Sequence, residues 1–514
     1  DYHDITIDAG TTLELSGNIT VSGTYINNGT LTPGTNKVTF DGSSGQSITN
    51  NGTAAGKTFY DLEINNTVVS PADGADVDSD AMKVTGTLTV TDGQFQPATS
   101  SDFVNLTIST NGILKPDASA SIIVSGSWTN SGTFTHNSGT ITFDRTGSQV
   151  ITNNGTGSTK EFNNVIIDND ESSPADGTDV DSDAIKISGT LTISDGQFQP
   201  ATNSDFNNIT FAANGILKPD ASATITVSGT WTNSASGTFT HNSGTVDYDG
   251  AAQSIGAETY NNLTLSGSNN KTVQGSHSVT GVLTVTSGPT LVVSTSSHKL
   301  TAASITHNSG GSITISDGEI ECTGKADIDG LLTISGSGAT LDVNGELELS
   351  STTTESISNG NITVVGDFDA DDADGFTPTG GTFTFDGASA DATITMDSDA
   401  NFFNLIINNG SNDVDAGSNI TINGTLTVSG GELDIKARTV TVAGATDIDG
   451  TLTIDGAGTY DANNSFTAQG ATVQFTGSGG TLKLGGATVT SIGDIFDPGS
   501  GTVEYDYSGD QRVK

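Results

Sequence analysis

Apolar and polar residues alternate along most of this chain in short runs that small residues separate. The clearest run reads G-T-L-T-V or G-T-L-T-I and begins at Gly86, Gly189, Gly424 and Gly450. Leu and the final Val or Ile lie on one face of such a run and the Thr residues on the other, because side chains alternate along a strand. Gly, Asn, Asp and Ser between the runs are typical of tight turns. The pattern therefore predicts an all-β chain of short, half-buried strands.

Longer segments repeat at two fixed distances. The segment S-P-A-D-G-A-D-V-D-S-D, which begins at Ser70, recurs 103 residues later almost unchanged. The segment A-D-I-D-G-L-L-T-I, which begins at Ala326, recurs 120 residues later. We therefore predict two β-solenoid zones, 1–265 and 266–514, that follow each other without a linker.

Short strands of this kind bury a core only by stacking. Tandem sandwiches fit a 103-residue period, but they usually have linkers and larger aromatic cores than this chain, in which aromatic residues are 6%. Propellers repeat at about 40–50 residues with blade signatures that are not found in this sequence. We predict an elongated parallel β-helix, or β-solenoid, of roughly 20–25 coils. The crossover rule for parallel strands favours right-handed winding.

The strongly negative charge of the chain argues against two classes of partner. The chain has 16 Lys and Arg against 60 Asp and Glu, and its formal net charge is −44. We expect no nucleic-acid partner and no membrane insertion, since nucleic acids and anionic membranes are bound through Lys and Arg, and no apolar run approaches the ~20 residues of a spanning helix. The single cysteine, Cys322, allows no intrachain disulfide. The composition favours an extracellular or cell-surface protein whose leader has been removed.

A composite motif recurs along the chain. One copy reads G-T-V-D-Y at 244–248, Q-S-I at 253–255 and Y-N-N-L-T-L at 260–265. The aromatic residue that ends its first part recurs as Phe40, Phe143 and Phe385. This motif resembles the degenerate parallel β-helix repeats of very large secreted surface proteins of bacteria and archaea. The resemblance implies a β-solenoid at the cell surface, and that kind of protein includes adhesins, sheath and filament subunits, and fragments of enzymes.

Acidic clusters are candidate calcium sites. The segment D-F-D-A-D-D-A-D-G contains Asp367, Asp369, Asp371, Asp372 and Asp374. Carboxylates at alternate loop positions can converge on Ca²⁺, which takes about six to eight oxygen ligands. The alternative is a solvated acidic turn, since the spacing is not that of an EF-hand. Two further clusters are Asp73, Asp76, Asp78 and Asp80, and their repeats Asp176, Asp179, Asp181 and Asp183. Calcium is thus the one candidate cofactor.

The sequence does not predict an enzyme. A polysaccharide-cleaving site needs clustered carboxylates with Lys or Arg, or an acid/base pair, whereas the cations here are isolated. His136, His241 and His307 each occur in T-H-N-S-G at a repeated corner, and we interpret them as turn or stacking residues rather than catalysts. Rows of Thr-x-Thr would stack into ladders similar to the ice-binding faces of some β-solenoid antifreeze proteins. Thr is also a common exposed strand residue, and the rows are interrupted.

Asparagine sequons are candidate glycosylation sites in a secreted chain. The candidates are Asn18, Asn28, Asn51, Asn105, Asn208 and Asn262. Several lie within N-L-T or N-I-T, which strand alternation creates in any case. Trp128 and Trp231 could stack on sugars. The aromatic Tyr25, another 103 residues earlier, favours a repeated packing position instead.

The two ends of the chain match the two parts of the composite motif. The C-terminal part supplies Tyr505, Gln511, Val513 and Lys514, and the N-terminal part supplies Tyr2, Asp4, Ile5 and Ile7. Open sheet edges template further strands, and a head-to-tail contact that repeats makes a fibre. We expect the C-terminal coil of one subunit to stack on the N-terminal strand of the next. The alternative is that the sequence is an excerpt of a longer tandem chain.

These observations favour a structural function. We predict an extracellular subunit of a head-to-tail homopolymeric filament or sheath, with further copies of itself as its main partner. The first alternative is the stalk or passenger of a cell-surface adhesin that binds a carbohydrate or another surface. A polysaccharide-acting enzyme and an ice-binding protein are the remaining alternatives.

Overall fold

The structure is a computed structural model that describes residues 1–67, 77–169, 180–233, 237–350, 355–371, 375–387 and 391–513. The chain divides into two compact units, 1–247 and 248–514. Both units consist of parallel strands stacked as a β-solenoid, with about 22 coils altogether. Within the described ranges there are strands and turns but no helix. The predicted all-β solenoid is therefore confirmed, and the predicted handedness stays a prediction.

The first 24 strands belong to unit 1. They are β1 (Ile5–Ile7), β2 (Thr12–Glu14), β3 (Ile19–Val21), β4 (Tyr25–Asn27), β5 (Thr30–Thr32), β6 (Lys37–Phe40), β7 (Gln46–Thr49), β8 (Thr58–Phe59), β9 (Asp61–Asn65), β10 (Val77–Ser79), β11 (Lys83–Pro97), β12 (Ser101–Leu114), β13 (Ser121–Val124), β14 (Trp128–Asn130), β15 (Thr133–Phe134), β16 (Thr140–Phe143), β17 (Gln149–Thr152), β18 (Asn164–Asp168), β19 (Val180–Ser182), β20 (Lys186–Pro200), β21 (Ser204–Leu217), β22 (Thr224–Val227), β23 (Trp231–Asn233) and β24 (Thr238–Phe239).

The remaining strands follow in chain order. They are β25 (Thr245–Tyr248), β26 (Gln253–Ile255), β27 (Thr259–Tyr260), β28 (Asn262–Leu265), β29 (Asn269–Val273), β30 (Ser276–Val285), β31 (Pro289–His307), β32 (Ser312–Cys322), β33 (Ala326–Ile328), β34 (Leu331–Ile334), β35 (Ala339–Val343), β36 (Leu347–Leu349), β37 (Glu355–Ile357), β38 (Asn361–Val364), β39 (Phe368–Ala370), β40 (Thr382–Phe385), β41 (Ala392–Met396), β42 (Asn404–Ala416), β43 (Ile420–Ile422), β44 (Leu426–Asp434), β45 (Thr439–Val442), β46 (Thr446–Ile448), β47 (Thr451–Asp455), β48 (Thr459–Ala462), β49 (Phe466–Thr467), β50 (Thr472–Thr476), β51 (Thr481–Leu484), β52 (Thr488–Val489), β53 (Ile495–Asp497), β54 (Thr502–Tyr505) and β55 (Arg512–Val513).

Inward-facing residues of successive coils form columns. In unit 1 one column runs through Val38, Leu62, Leu88, Leu106 and Trp128, each partner lying 18 to 26 residues after the last. All five side chains are buried. Along β11 Leu88 and Val90 are buried whereas Thr87 and Thr89 are half-buried. The alternation seen in the sequence is therefore the alternation between core and surface.

Unit 2 has the same construction. A column of inward residues runs through Leu283, Ile305, Ala326, Leu347 and Phe368, and all of them are buried. The core therefore continues from coil to coil. Stacking, rather than any single coil, buries it.

The T-H-N-S-G segments differ between the units, which corrects one expectation. His136 and His241 lie in turns, where the ring Nδ1 accepts a hydrogen bond from the backbone N–H two residues later. His307 instead ends strand β31 in the inward column between Val285 and Ile328, and it is fully buried. In unit 1 the preceding strands end at the inward Phe134 and Phe239, so the chain turns before the histidine. In β31 the strand continues, and alternation sends the histidine inward.

Candidate coil-stacking interface

A recurring corner, formed by Asp or Asn and glycine, links one coil to the next at the start of a main strand. Asp61 Oδ1 accepts a hydrogen bond of 2.8 Å from the backbone N–H of Thr87, in the following coil. A Cβ on the preceding Gly86 would collide with this oxygen and with the Tyr60 carbonyl oxygen. The pair recurs as Asp4–Thr24, Asn105–Ser127, Asn164–Thr190, Asn208–Thr230, Asn262–Val282 and Asn404–Thr425. Asp4 thus already occupies a standard corner.

The corners separate the six predicted glycosylation sites into two groups. Asn105, Asn208 and Asn262 are half-buried corner residues, and the first two donate from Nδ2 to the carbonyls of Gly86 and Gly189. A glycan is attached at Nδ2, so the corner geometry disfavours its attachment there. The side chains of Asn18, Asn28 and Asn51 are exposed. Glycosylation at these positions stays a prediction.

A repeated glutamine fastens three copies of the composite motif to the coil before them. Gln46 Nε2 donates to the carbonyl oxygens of Val21 and Gly23, at 2.9 and 3.0 Å. Gln149 makes the equivalent pair of bonds at 2.7 and 2.6 Å. Gln511 donates to Leu484 O at 2.7 Å and Gly486 O at 2.9 Å. The C-terminal coil therefore has the same local geometry as the internal copies of the motif.

The aromatic residues of the two motif parts pack against each other in the core. In unit 2 the hydroxyl oxygens of Tyr248 and Tyr260 lie 2.9 Å apart, and the ring centroids are 6.4 Å apart. Both residues are fully buried, and burial is the main cause that raises their pKa values. In unit 1 Phe143 and Phe162 occupy the same positions, with centroids 6.3 Å apart. An aromatic pair thus marks these two internal joints between the motif parts.

At the N-terminal coil the corresponding positions are open. Tyr2, which matches Tyr260, is 53% exposed. Beside it lies an open recess of about 610 Å³ whose lining includes the apolar residues Ile5, Ile7, Leu13 and Leu15. Asp4 accepts its hydrogen bonds from Thr24, in the next coil of the same chain. The first coil is therefore folded on one side and uncovered on the other.

The C-terminal coil shows the complementary feature. Tyr505, at the end of β54, is 49% exposed although its column partner Leu484 is buried. Ile495 is 65% exposed. The backbone of Arg512 and Val513 pairs with Thr488 and Val489 in the coil below. Lys514 lies outside the described residues, as does the Val513 side chain.

Three of the five predicted calcium ligands near residue 370 lie among the described residues. Asp367 Oδ1 accepts a hydrogen bond from Thr393 N at 2.8 Å, and Asp369 Oδ1 accepts one from Asp371 N at 3.2 Å. Burial raises the pKa of Asp369. Asp372 and Asp374 lie outside the described residues. Within the part of the chain that the structure describes, no three His, Cys, Asp or Glu side chains are grouped to hold a metal ion. Calcium binding stays a prediction.

The two earlier acidic clusters also lie only in part among the described residues. Asp73, Asp76, Asp176 and Asp179 lie outside the described residues, as does the Asp78 side chain. Asp80 accepts hydrogen bonds from the backbone N–H groups of Asn50 and Asn51. Asp183 accepts the equivalent bonds in the second copy. At these two positions the carboxylates bind backbone groups of the preceding coil.

Two features were missed by the sequence reasoning. The corner residues were visible only as Asn or Asp before an alternating strand, a signal that also describes many turns. Buried asparagines such as Asn27 and Asn130 looked like surface turn residues, yet both are fully buried. Trp128, by contrast, is fully buried and packs against Phe134 with centroids 5.0 Å apart, which confirms a packing position.

Comparisons with known proteins identified no relative of this chain. No helix among the described residues is long and apolar enough to cross a bilayer. No protein-family model, no curated protein and no solved structure matches this chain.

Proposed function

We propose that this chain is an extracellular structural protein whose copies join head to tail, through stacking of their end coils, into a filament or sheath. The observation that carries the proposal is the internal joint at Tyr248 and Tyr260, where the two motif parts meet. The C-terminal coil supplies a first part that ends in Tyr505, and the N-terminal coil a second part that begins with Tyr2. The composition and the resemblance to secreted surface proteins support the location.

The internal copies predict the register of the proposed contact. In unit 1 Val38 pairs with Leu62 and Phe40 pairs with Ile64. By the same rule Val503 of one copy pairs with Ile5 of the next, and Tyr505 pairs with Ile7. Tyr2 then packs against Tyr505 as Tyr260 packs against Tyr248. The second copy would cover the recess at the first coil with the same kinds of residues that cover an internal coil.

The register also brings two carboxylates together. Asp506 of one copy would lie beside Asp8 of the next, as Asp144 lies beside Asp168 in unit 1. Burial, and then the charges of Asp102 and Asp168, raise the pKa of Asp144. Two ionised carboxylates in such neighbouring positions repel each other, and salt screens that repulsion. We expect added salt or calcium to strengthen the contact.

Negative-stain electron microscopy and sedimentation of the purified chain test the proposal. The expected result is a concentration-dependent polymer that disappears in a variant carrying Tyr2→Ser and Tyr505→Ser. Uniform monomers at high concentration, with and without calcium, would overturn it. An intact mass of the protein from its natural source that exceeds the mass of these 514 residues, with coils covalently continued at both ends, would also overturn it.

A further inference from the structure

Two lysines of unit 1 reach into the preceding coil and end against buried asparagines. Lys57 Nζ lies 2.5 Å from the main-chain oxygen of Asn27 and 3.3 Å from its side-chain Oδ1. Lys160 Nζ lies 2.8 Å from the main-chain oxygen of Asn130 and 3.1 Å from its Oδ1. In each pair the lysine follows the asparagine by 30 residues. The same geometry is therefore built twice, in loops of the same length.

Both asparagines, Asn27 and Asn130, are fully buried, and aromatic rings lie close to the second pair. Beside Asn130 lie the rings of Trp128 and Phe162, with centroids 5.2 Å apart, and a hydrogen bond from Phe134 N to Thr159 O fixes the backbone next to Lys160. Burial lowers the pKa of Lys160 from its ordinary value. A desolvated lysine gives up its proton more readily and is then a nucleophile.

A carboxylate stands near each pair. Asp183 accepts hydrogen bonds from Asn153 N and Asn154 N, and Asn154 Nδ2 donates to the same Asn130 oxygen that Lys160 contacts. The charge of Asp183 acts on Lys160 and opposes the lowering of its pKa. Asp80 holds the equivalent backbone groups of Asn50 and Asn51 in the first copy. Each site thus combines an amine, a primary amide and a nearby carboxylate.

We propose that Lys57 and Asn27, and likewise Lys160 and Asn130, are joined by isopeptide bonds that the folded chain forms by itself. The lysine Nζ, after losing a proton to solvent, attacks the asparagine Cγ. The Nζ–Cγ bond forms and the Cγ–Nδ2 bond breaks. Nδ2 leaves as ammonia with one further proton from Nζ, and the proton released to solvent converts it to ammonium. No oxidant, reductant or cofactor takes part.

The fold favours the reaction because it holds the lysine amine close to the asparagine amide. An amine held within about 3–3.5 Å of a reacting group behaves as if it were present at a very high local concentration. Hydrogen bonds to main-chain oxygens hold Lys57 Nζ 3.3 Å and Lys160 Nζ 3.1 Å from Oδ1 of the partner amide, and Lys160 also contacts Gly132 O at 2.7 Å. Each bond would close a loop across two coils in a chain whose only cysteine is Cys322.

The third copy of the motif is a natural control. Asn233 occupies the position of Asn130, and its Nδ2 donates to Gly237 O at 3.1 Å. The segment from Gln253 to Tyr260, which replaces the loop of Lys160, contains no lysine. A peptide that contains Asn233 is therefore expected without a cross-link.

Intact mass spectrometry of the purified chain tests the proposal. We expect a mass lower than that of the sequence by two molecules of ammonia, about 34 Da, and two branched peptides after digestion. Lys160→Arg keeps the charge and the donors but cannot form the bond, so half of the deficit should disappear while the circular dichroism spectrum is unchanged. Lys57→Arg should remove the other half.

Each possible mass result has a distinct meaning for the two lysine–asparagine pairs. A deficit of one ammonia, with one branched peptide, supports the pair in that peptide and overturns the other. The full sequence mass in the folded, unsubstituted protein overturns the proposal. An unchanged deficit in the two arginine variants would do the same, because ammonia would then be lost elsewhere.

Discussion

Replacement of Tyr505 by serine is the sharpest test of the stacking contact. At the matching internal positions Phe40, Phe143 and Tyr248 are fully buried, because a following coil covers them. Tyr505 is 49% exposed in the single chain. The substitution Tyr505→Ser should therefore leave the folded single chain almost unchanged. It should weaken only the contact that covers this ring.

The expected magnitude follows from the exposed area. A tyrosine offers roughly 200 Å² of contact area, so about 100 Å² of Tyr505 is left for a second copy to cover. At about 25 cal/mol per Å² this burial contributes about 2.5 kcal/mol to the contact. Loss of that amount weakens the association about 60-fold. The critical concentration for assembly should rise by the same factor.

Sedimentation at a series of protein concentrations measures this shift directly. Tyr507→Ser is the matched control, since Tyr507 is 40% exposed but lies two residues beyond the end of β54 and outside the proposed column. It should assemble like the unsubstituted chain. If the two variants share one critical concentration, the register deduced from the internal joints is wrong. Equal thermal unfolding of the variants would show that the folded chain is unchanged.

Two further predictions concern stability. Gly86→Ala should destabilise the fold by about 2–3 kcal/mol, because the new Cβ collides with Asp61 Oδ1 in the preceding coil; Gly157→Ala, which has open space, is the control in urea unfolding, and equal midpoints would contradict the corner. Burial raises the pKa of Glu355 to about 7 from 4.5, although a hydrogen bond to its own backbone acts in the opposite direction. The folded chain thus favours the protonated acid, so stability present below pH 4.5 should fall by about 2 kcal/mol, after solvent screening, as the pH rises through 7. Glu355→Gln should remove that pH dependence in urea unfolding at pH 5 and 8, and an unchanged slope would contradict it.

The sequence predicted the fold well because the dominant signal is simple. Strict alternation around residues such as Leu88 requires one buried face, and short strands with one buried face must stack. The equal spacing of repeated segments then required similar coils in series. Gln511 could be recognised because its motif had complete copies elsewhere in the chain. Its hydrogen bonds to the preceding coil agree with those of Gln149.

Identical short segments of sequence did not predict the direction in which a side chain points. His136 and His307 occur in the same five-residue segment, yet one lies in a turn and the other in the core. The direction of the histidine side chain depends on whether the preceding strand continues through the histidine. The column of residues that the strand joins decides where the strand ends. Strand β15 ends two residues before His136, whereas β31 runs through His307, and this difference moves the side chain from a turn to the core. Such a choice depends on neighbouring coils, which a sequence window does not contain.

The contacts of Lys57 and Lys160 could not be predicted for a related reason. Each lysine acts on an asparagine 30 residues earlier, through a coil whose length varies along the chain. The partners of the column in unit 1 lie 18 to 26 residues apart, so no fixed spacing marks a contact between coils. Only the folded register identifies these pairs.

An internal joint and the proposed joint between copies use the same contacts but differ in entropy. Within one chain the next coil is already attached, whereas a second copy loses translational and rotational freedom that costs about 4–15 kcal/mol. The rings of Tyr2 and Tyr505 contribute about 5 kcal/mol together by area, which covers only the lower part of that range. The recess lined by Ile5 and Leu13, the exposed Ile495 and the backbone bonds of the new ladder must contribute the rest. Assembly should therefore depend steeply on concentration, and salt should shift it by reducing repulsion between Asp8 and Asp506.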